Sequence, residues 1–487
     1  MTDILDVLVV GAGFAGICAG KMLLDKGITN FKVYEKSDAI GGTWYHNTYP
    51  GAACDVASHF YCYSFEPNPN WSAAYSPQPE ILEYIRHCAK KYDVEPKVQL
   101  SHKIERFELD ETEGIWTAHF AGGHTQKTRM IINGMGGLHV PKFPDIEGVG
   151  DFSGSAMHSA LWDHNVDFVG KSVAIIGSAA SAIQIIPELG KICSSVKVFQ
   201  RTPNYVTPRN NKTYTDKQKA RMAKFPILSK LRRLKIYLES EFVVYRLMMQ
   251  DKFLGNLVTK QVHKKIKDEV KNSEKEAHLI PNYTIGCKRI LVSDDFYNTL
   301  SQDHVQLIPQ GVKRILSDGV EAQDGSVHTA DILVFATGYD IDAHLGSIEV
   351  IGKKGVSLLG LGKDGHAAFK GTTQPDFPNY FMVTGPNTGV GSTSVVHMIE
   401  LQVKYIAKLV DKVREGKLIS PTRKAMDAHN IDLQDQLSRS VWASGCDSWY
   451  LRDDGKIVIL YPGSARDFAR EHKRVDWENY DVVDVPA

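Results

Sequence analysis

Three glycines near the start of the chain have the spacing of a phosphate-binding turn. Gly11, Gly13 and Gly16 follow the apolar run Val7–Val10 and lead into a stretch of helical character. The first glycine permits a tight turn, the second lets a pyrophosphate approach the backbone, and the third lets helix and strand pack closely. Free N–H groups at the start of the helix favour the bound anion. The pattern therefore predicts a dinucleotide site.

An acidic residue supports this prediction. Glu35 lies 24 residues after Gly11, at the end of a second strand-like run that begins at Phe31. In that position its carboxylate can accept hydrogen bonds from ribose hydroxyl groups. The alternative is a glycine-rich loop without a ligand, but strand, helix, second strand and terminal acid are all in place. The predicted contacts of this first turn also include Phe14, Ala15 and Lys36.

A second turn of similar layout begins at Gly177, after the apolar run Val173–Ile176. Ala179 replaces its central glycine, and the added methyl group crowds a pyrophosphate without excluding it. Arg201 lies 24 residues after Gly177, where the first turn has Glu35. A guanidinium there pairs with a ribose 2′-phosphate, which favours NADPH over NADH, although a surface arginine at a strand end is the alternative. The predicted contacts of this second turn also include Ser178, Ser181 and Gln184.

The elements around the turns predict an α/β fold with two dinucleotide-binding (Rossmann-like) domains, the second inserted in the first. Continuous apolar strands are typical of buried parallel sheets, and alternating strands over residues 101–135 predict an antiparallel meander. A segment rich in Lys, Arg, Glu and Leu predicts a helical insertion. We interpret its lysines as a solvated face, with docking to a membrane surface or a partner as the alternative. The predicted segments are 1–150 and 340–487 for the first domain, 151–210 and 285–339 for the second, and 211–284 for the insertion.

Composition excludes several classes of protein. The 487 residues include 57 basic and 57 acidic side chains, and this balance argues against a nucleic-acid partner. The seven cysteines form no CxxC pair, which predicts a reduced intracellular protein with neither a disulfide framework nor a metal site. The chain has no signal-like start and no apolar run of about 18 residues, so we expect a cytoplasmic protein without stable membrane insertion.

Three further segments combine residue types that suggest contact with a ligand. His158 lies before the second turn, where an interdomain linker is expected, although most such histidines have a structural role. Lys288 and Arg289 follow the helical insertion, where adjacent cations are ordinarily surface charges. The third segment is too rich in glycine, proline and aromatic residues for a helix or a central strand, so it predicts a loop over a ligand. It contains Gly42, Thr43, Trp44, Tyr49 and Asp55.

These segments resemble those of a known family. The loop GGTWYHNTYPG, followed by Asp55, is similar to the GGxWxxxxYPGxxxD signature of type I Baeyer–Villiger monooxygenases. A second signature of the family ends in a tryptophan followed by Pro or Asp, and Trp162 stands at that position. The related flavin-containing monooxygenases, which oxidise nitrogen and sulfur, usually have Tyr or Phe there. The resemblance extends to Asp447–Tyr450, but the second turn departs from the family's usual GxGxx(G/A). The family's FxGxxxHxxxW(P/D) fingerprint is matched by Phe152, Gly154, His158, Trp162 and Asp163.

The resemblance implies FAD at the first turn and NADPH at the second. It implies that Arg289 stabilises a flavin peroxide and that Asp55 positions this arginine. Lys288 and Arg201, together with Thr202, match the groups around the 2′-phosphate of NADPH.

Two further matches concern movement and the nicotinamide cofactor. His158 matches the fingerprint histidine of the domain linker, which takes part in hinge movement and cofactor handling. Trp449 matches a tryptophan near the bound nicotinamide cofactor.

The implied activity is the conversion of ketones to esters or lactones with O2 through a C4a-peroxyflavin. A heteroatom monooxygenase on the same fold is the nearest alternative, and Trp162 and Arg289 argue against it. A flavin disulfide reductase would need a paired cysteine motif, which the sequence lacks. A dinucleotide-binding sensor without catalytic activity is a third alternative.

Overall fold

The computed structural model describes residues 4–340, 347–362, 366–389, 391–446, 448, 450–452 and 454–485. Its two large sheets each contain the strand that precedes one of the glycine-rich turns. The α/β fold with two Rossmann-like units is confirmed, because each unit has parallel strands at its centre and a helix directly after its turn.

The first sheet is built around the strand before Gly11. Its strands are β1 Leu5–Val10, β2 Phe31–Tyr34, β3 Val98–Gln99, β4 Ile104–Asp110, β5 Ile115–Phe120, β6 Thr125–Asn133, β17 Glu349–Ile351 and β18 Tyr380–Met382. Their order is β17-β4-β5-β6-β1-β2-β3, with β18 also beside β6. β1 pairs in parallel with β2 and β6, whereas β4, β5 and β6 form the antiparallel meander. The meander is therefore part of the main sheet.

The second sheet is parallel throughout its described pairs. Its strands are β7 Ser155–His158, β8 Ser172–Ile176, β9 Ser195–Phe199, β12 Val305–Ile308 and β16 Ile332–Phe335. Their order in the sheet is β12-β9-β8-β16-β7. Smaller pairings join β10 Val206–Thr207 to β11 Leu291–Val292, β13 Val312–Leu316 to β14 Gly319–Ala322 and β15 Val327–Thr329, and β19 Lys417–Pro421 to β20 Tyr480–Asp484.

Helices cover the sheets and form the insertion. Those outside the insertion are α1 Phe14–Asp25, α2 Thr43–His46, α3 Gln78–Lys91, α4 Ala182–Leu189, α10 Phe296–Leu300, α11 Val395–Val413, α12 Arg423–Ser438 and α13 Ala465–Glu471. Those within it are α5 Asp216–Lys224, α6 Pro226–Glu239, α7 Tyr245–Met248, α8 Lys252–Glu269 and α9 Ser273–Leu279, with a π-helical turn at Ser240–Val244. Because β10 pairs with β11, the insertion leaves and re-enters the second unit at adjacent points.

Each glycine turn rests on its own buried core. Val7 and Val9 of β1 are fully buried among the side chains of α1 and α11. Val173 and Ile175 of β8 are fully buried in a separate cluster with the apolar side of α4. Among the described helices, none has both the length and the apolar content that a membrane-crossing segment needs.

Candidate active site

Two of the three glycine positions in the first turn, Gly11 and Gly16, cannot take a side chain without strain. Gly11 has a φ of +86°, and a Cβ built on Gly16 would lie 1.8 Å from the carbonyl oxygen of Gly11. A Cβ on Gly13 would lie 3.4 Å from the Cα of Gly42, so the backbones of the turn and the following loop face each other closely. Helix α1 begins at Phe14, and no side chain caps its first N–H groups. This cradle fits a pyrophosphate, which those N–H groups can bind.

Glu35 is fixed at the edge of this cradle. Its carboxylate accepts the backbone N–H of Ala12 at 2.8 Å and that of Ser37 at 2.9 Å. The side chain is 6% exposed. Since each carboxylate oxygen can accept more than one hydrogen bond, the group retains acceptor capacity for ribose hydroxyls.

The second turn is built differently. Gly177 has a φ of +113°, and a Cβ on it would lie 2.5 Å from the carbonyl oxygen of Ala336. Ala179 is exposed, so its methyl group does not displace any part of the protein. Asn204 holds the turn by donating to the carbonyl oxygen of Ser178 at 3.0 Å. Helix α4 begins only at Ala182, which occupies the place that Gly16 has in the first turn and is fully buried.

Two cations lie on neighbouring segments beside this turn. Arg201 follows β9 and is exposed. Its aliphatic stem lies beside Gly311, because a Cβ built on that glycine would be 3.3 Å from the Cγ and Cδ atoms of Arg201. Thr202 is the next residue. Lys288 places its Nζ 5.3 Å from the ring centroid of Tyr283. The hydroxyl of Tyr283 donates to the carbonyl oxygen of Pro203 at 3.1 Å, which joins the two cationic segments.

The loop after the first turn contains one helical turn, α2, so the expectation that it lacks helix was wrong. The turn comprises four residues beginning with Thr43, and Gly42 directly before it has a φ of +55°. The indole Nε1 of Trp44 donates to the hydroxyl of Tyr61 at 3.1 Å, and the two rings meet edge to face.

The same loop is bonded to the second unit. The hydroxyl of Tyr49 donates to Oε1 of Gln184 on α4 at 2.9 Å. The amide of Gln184 donates in turn to the carbonyl oxygen of Ala53 at 2.9 Å. Burial raises the pKa of Tyr49, and a hydrogen bond with Ser181 partly offsets this effect. Two residues after Ala53, Asp55 therefore lies where the first unit meets the second.

Asp55 forms an ion pair with Arg289 at this junction. The neighbouring carboxylate raises the pKa of Arg289, so the guanidinium remains charged throughout the working pH range. Arg289 is 47% exposed and Asp55 is 26% exposed at their side chains. Tyr450 lies beside the pair; burial raises its pKa and the charge of Arg289 partly lowers it. A fixed, accessible cation thus faces the space between the units.

Cys287 and Cys446 form a disulfide, which corrects the prediction that the cysteines are reduced and unpaired. The two residues are separated by 159 positions, so their spacing does not indicate a pair. The other five cysteines are free and buried. The bond ties the segment that contains Arg289 to the C-terminal part of the chain.

His158 lies between the two chain segments that connect the units. Its Nδ1 accepts the N–H of Ala160 at 3.0 Å, and the side chain is 1% exposed. Its ring centroid lies 5.2 Å from that of Phe143 and 6.4 Å from that of Tyr339. Burial lowers the pKa of His158, which favours the neutral ring.

The other fingerprint residues have structural surroundings. Trp162 stacks on Phe168 with ring centroids 5.1 Å apart. A Cβ on Gly154 would lie 2.3 Å from the carbonyl oxygen of Asp331, which excludes any larger residue.

Two predicted cofactor contacts lie outside the fingerprint. Lys36 is exposed directly after Glu35. Trp449 lies outside the described residues.

Two residues near the ion pair were not predicted. Arg209 donates to the carbonyl oxygen of Cys54 at 2.8 Å, and burial lowers its pKa. Tyr450 contributes to the electrostatics of Arg289. Arg209 lies in none of the motifs, and Tyr450 ends the Asp447–Tyr450 segment of the resemblance, which implies no role for this tyrosine. Long-range folding brings both residues to the site.

Comparison with known proteins identifies the class that this fold and site define. Residues 5–359 match the family described as flavin-binding monooxygenase-like, and the chain belongs to this family. The chain is 36% identical to a Baeyer–Villiger monooxygenase of Pseudomonas aeruginosa, covering 99% of this chain and 92% of that protein.

Solved structures of similar fold extend the comparison. One is an oxidised steroid monooxygenase bound to NADP, with a TM-score of 0.89, 27% identity and coverage of 99% of this chain and 100% of that one. Another is cyclohexanone monooxygenase from Rhodococcus sp. Phi1 bound to NADP+, with a TM-score of 0.88, 26% identity and the same coverage.

Proposed function

We propose that this protein is an FAD- and NADPH-dependent Baeyer–Villiger monooxygenase that converts ketones to esters or lactones with O2. The observation that carries the proposal is the Arg289–Asp55 ion pair at the junction of two different dinucleotide turns. The likeness to named Baeyer–Villiger monooxygenases supports the same reaction.

The two turns would hold the two cofactors. Gly11, Gly13 and Gly16 leave room for the FAD pyrophosphate, and Glu35 would bind its ribose. Arg201 and Lys288 would bind the 2′-phosphate of NADPH by charge-assisted hydrogen bonds. A flavin held at the first turn would supply the hydride acceptor for NADPH and the means of activating O2.

Arg289 would act on the negative charge that develops during oxygen transfer. As a ketone carbonyl is attacked, charge builds on its oxygen, and a cation already in place stabilises this charge without reorganisation. Arginine suits the task because it does not release a proton. Asp55 would act as a positioning residue, since its carboxylate holds the guanidinium in one orientation.

Other residues would control access and movement. Trp44 and Tyr49 cover the space beside the first turn, and exclusion of water there limits loss of activated oxygen as hydrogen peroxide. His158, packed between the connecting segments, would keep their spacing as the units move.

We also propose a division into segments and a location in the cell. The FAD domain would comprise 1–150 and 340–487, the NADP domain 151–210 and 285–339, and the helical insertion 211–284. The assignment of strands to two separate sheets supports this division. A cytoplasmic location is supported by five free, buried cysteines, whereas the Cys287–Cys446 disulfide is of a kind that a reducing compartment disfavours.

A labelled-oxygen experiment tests the proposed reaction. The FAD-loaded enzyme is given NADPH, ¹⁸O2 and a panel of linear, cyclic and aryl ketones, with an amine and a sulfide as competing substrates. We expect esters or lactones that contain one ¹⁸O atom. Formation of the N-oxide or sulfoxide alone, with every ketone recovered unchanged, would contradict the proposal.

A further inference from the structure

Helix α6 and the π-helical turn after it expose a stripe of large apolar side chains. Ile227, Leu231, Leu234 and Leu238 are 57%, 54%, 50% and 41% exposed, and Phe242 is 61% exposed. Their spacing of three and four residues places them on one side of the helix. Leu231, Leu234, Leu238 and Phe242 line a single shallow groove, which we call the α6 stripe.

The stripe is separate from the side of α6 that holds the helix on the protein. On the packed side, Arg233 donates to the carbonyl oxygen of Cys62 at 2.8 Å and pairs with buried Glu400 at 3.4 Å. Tyr237 meets Phe60 edge to face, and Ser229 is buried. The fold is therefore already anchored without the stripe, and contiguous exposed apolar surface of this kind marks an interaction site.

Basic residues predominate on α5 and α6, although the two charged residues that line the groove itself, Lys235 and Glu239, pair with each other at 3.7 Å. Helices α5 and α6 contain eight Lys or Arg and two Asp or Glu, a net charge of +6 in a chain whose total net charge is zero. Lys217, Arg221, Lys224, Lys230 and Lys235 are all exposed. An apolar helix side with flanking cations is the pattern of helices that lie in the interface of an anionic membrane.

We propose that the α6 stripe docks on the surface of an anionic lipid bilayer. The leucines and Phe242 would enter the boundary between headgroups and acyl chains, while the flanking lysines contact lipid phosphates. A second copy of the chain is a poorer occupant, because a two-fold interface would bring the same cationic patch against itself. Docking of this kind needs no helix that crosses the membrane.

Docking would hold the bilayer near the candidate active site. On its packed side, α6 contacts Cys62, which adjoins Tyr61, and Tyr61 accepts the indole N–H of Trp44. The stripe and the ligand loop are thus linked through a short run of packed residues. An apolar substrate dissolved in the lipid would be concentrated close to the enzyme.

A vesicle flotation assay with the FAD-loaded, full-length protein tests the proposal. The probe is vesicles of phosphatidylcholine with phosphatidylglycerol in equal parts, compared with phosphatidylcholine alone. We expect wild-type protein to float with the anionic vesicles only, and to be released at about 1 M salt, where charges are screened within about 3 Å.

Two double variants separate the contribution of charge from that of the apolar side chains. Lys230→Gln with Lys235→Gln should lower the partition coefficient at least about tenfold, because each lysine contributes on the order of 1 kcal/mol. Leu231→Ser with Leu234→Ser should lower it by about tenfold or more, since burial of leucine in lipid is lost.

Matched controls come from other surfaces. Ile431→Ser removes an apolar side chain that is 72% exposed on α12, and Lys90→Gln with Lys424→Gln removes two exposed charges elsewhere. These variants should bind like wild type, and all variants should oxidise NADPH normally in the absence of vesicles. The proposal is overturned if wild type does not float with anionic vesicles, or if the α6 variants float as well as the controls. A wild type that sediments as a dimer and becomes monomeric on Leu231→Ser with Leu234→Ser would instead assign the stripe to a second copy.

Discussion

The two glycine-rich turns share a sequence layout but differ in where the helix begins and in the residue that occupies the third glycine position. In the first, α1 begins immediately after Gly13, and Gly16 lies against the carbonyl of Gly11 with no space for a Cβ. In the second, α4 begins five residues after Gly177, whereas α1 begins three residues after Gly11. A buried alanine, Ala182, occupies the place of Gly16.

This difference has a physical consequence for the ligands. The first turn fixes its helix close to the strand, so the free N–H groups converge on one narrow place, which would suit the permanently bound FAD that we propose for this turn. In the second turn the helix begins later, and the cation Arg201 stands where the first has Glu35. The affinity of the second turn for its cofactor would depend more on the charge of Arg201, which suits a cofactor that enters and leaves in each cycle.

The largest expected effect is that of a methyl group in the first turn. Gly16→Ala would place a Cβ 1.8 Å from the carbonyl oxygen of Gly11, so the helix must move. We expect a loss of about 3 kcal/mol in the free energy of unfolding, together with nearly complete loss of FAD from the purified protein. Flavin content and urea unfolding measure these effects.

Ala182→Gly is the matched change in the second turn. It removes a buried methyl and should cost only about 1 kcal/mol, with FAD retained. Equal losses of FAD and stability in the two variants would show that the turns do not differ in the way described.

The next largest effect concerns cofactor choice. Arg201→Ala should raise the apparent KM for NADPH by about ten- to a hundredfold, because one charge-assisted contact contributes about 1.5–3 kcal/mol. The KM for NADH, which lacks the 2′-phosphate, should change little. Steady-state kinetics with both cofactors measure the ratio, and an equal rise for both would exclude the assigned contact.

A smaller effect is expected where the turns are joined. Tyr49→Phe removes the hydroxyl that donates to Gln184, a loss of about 1 kcal/mol. It should also lower the amount of ester formed per NADPH consumed, because the loop is held less firmly. Tyr205→Phe is the control, since its hydroxyl donates to the carbonyl oxygen of Tyr283 in the helical insertion and, among the described residues, makes no bond to the first unit. If both variants give the same yield of ester, the bond between the units has no role in coupling.

The smallest effect is that of restoring the missing glycine. Ala179 is exposed, and its methyl group displaces no part of the protein. Ala179→Gly should therefore change the KM for NADPH by less than about threefold. A much larger improvement would mean that this methyl group, and not the position of α4, limits binding.

The sequence predicted the elements that depend on local pattern. The apolar runs before Gly11 and Gly177 became parallel strands, and residues 101–135 contain the antiparallel meander of β4, β5 and β6. The two units were predictable because glycine spacing, strand and helix recur within short stretches.

Features that depend on long-range folding were not predictable. The Cys287–Cys446 bond joins distant positions, and Arg209 reaches Cys54 across the junction of the two units. The helical turn α2 forms in a segment whose composition disfavours helix, and it spans only four residues. The apolar stripe of α6 has the same periodicity as a buried helix side, so the sequence alone does not reveal that it is exposed.

The central claim is that the ion pair between the units, Arg289 with Asp55, supports oxygen transfer. The most direct test measures ester and hydrogen peroxide per NADPH for wild type, Arg289→Ala and Asp55→Ala, each with FAD content determined. Arg289→Ala should bind FAD and continue to oxidise NADPH, but form ester about 10²–10³ times more slowly and release hydrogen peroxide instead. Asp55→Ala should show a milder form of the same change, because the cation remains but is poorly held. Ester formation by Arg289→Ala at nearly the wild-type rate and yield would contradict the account.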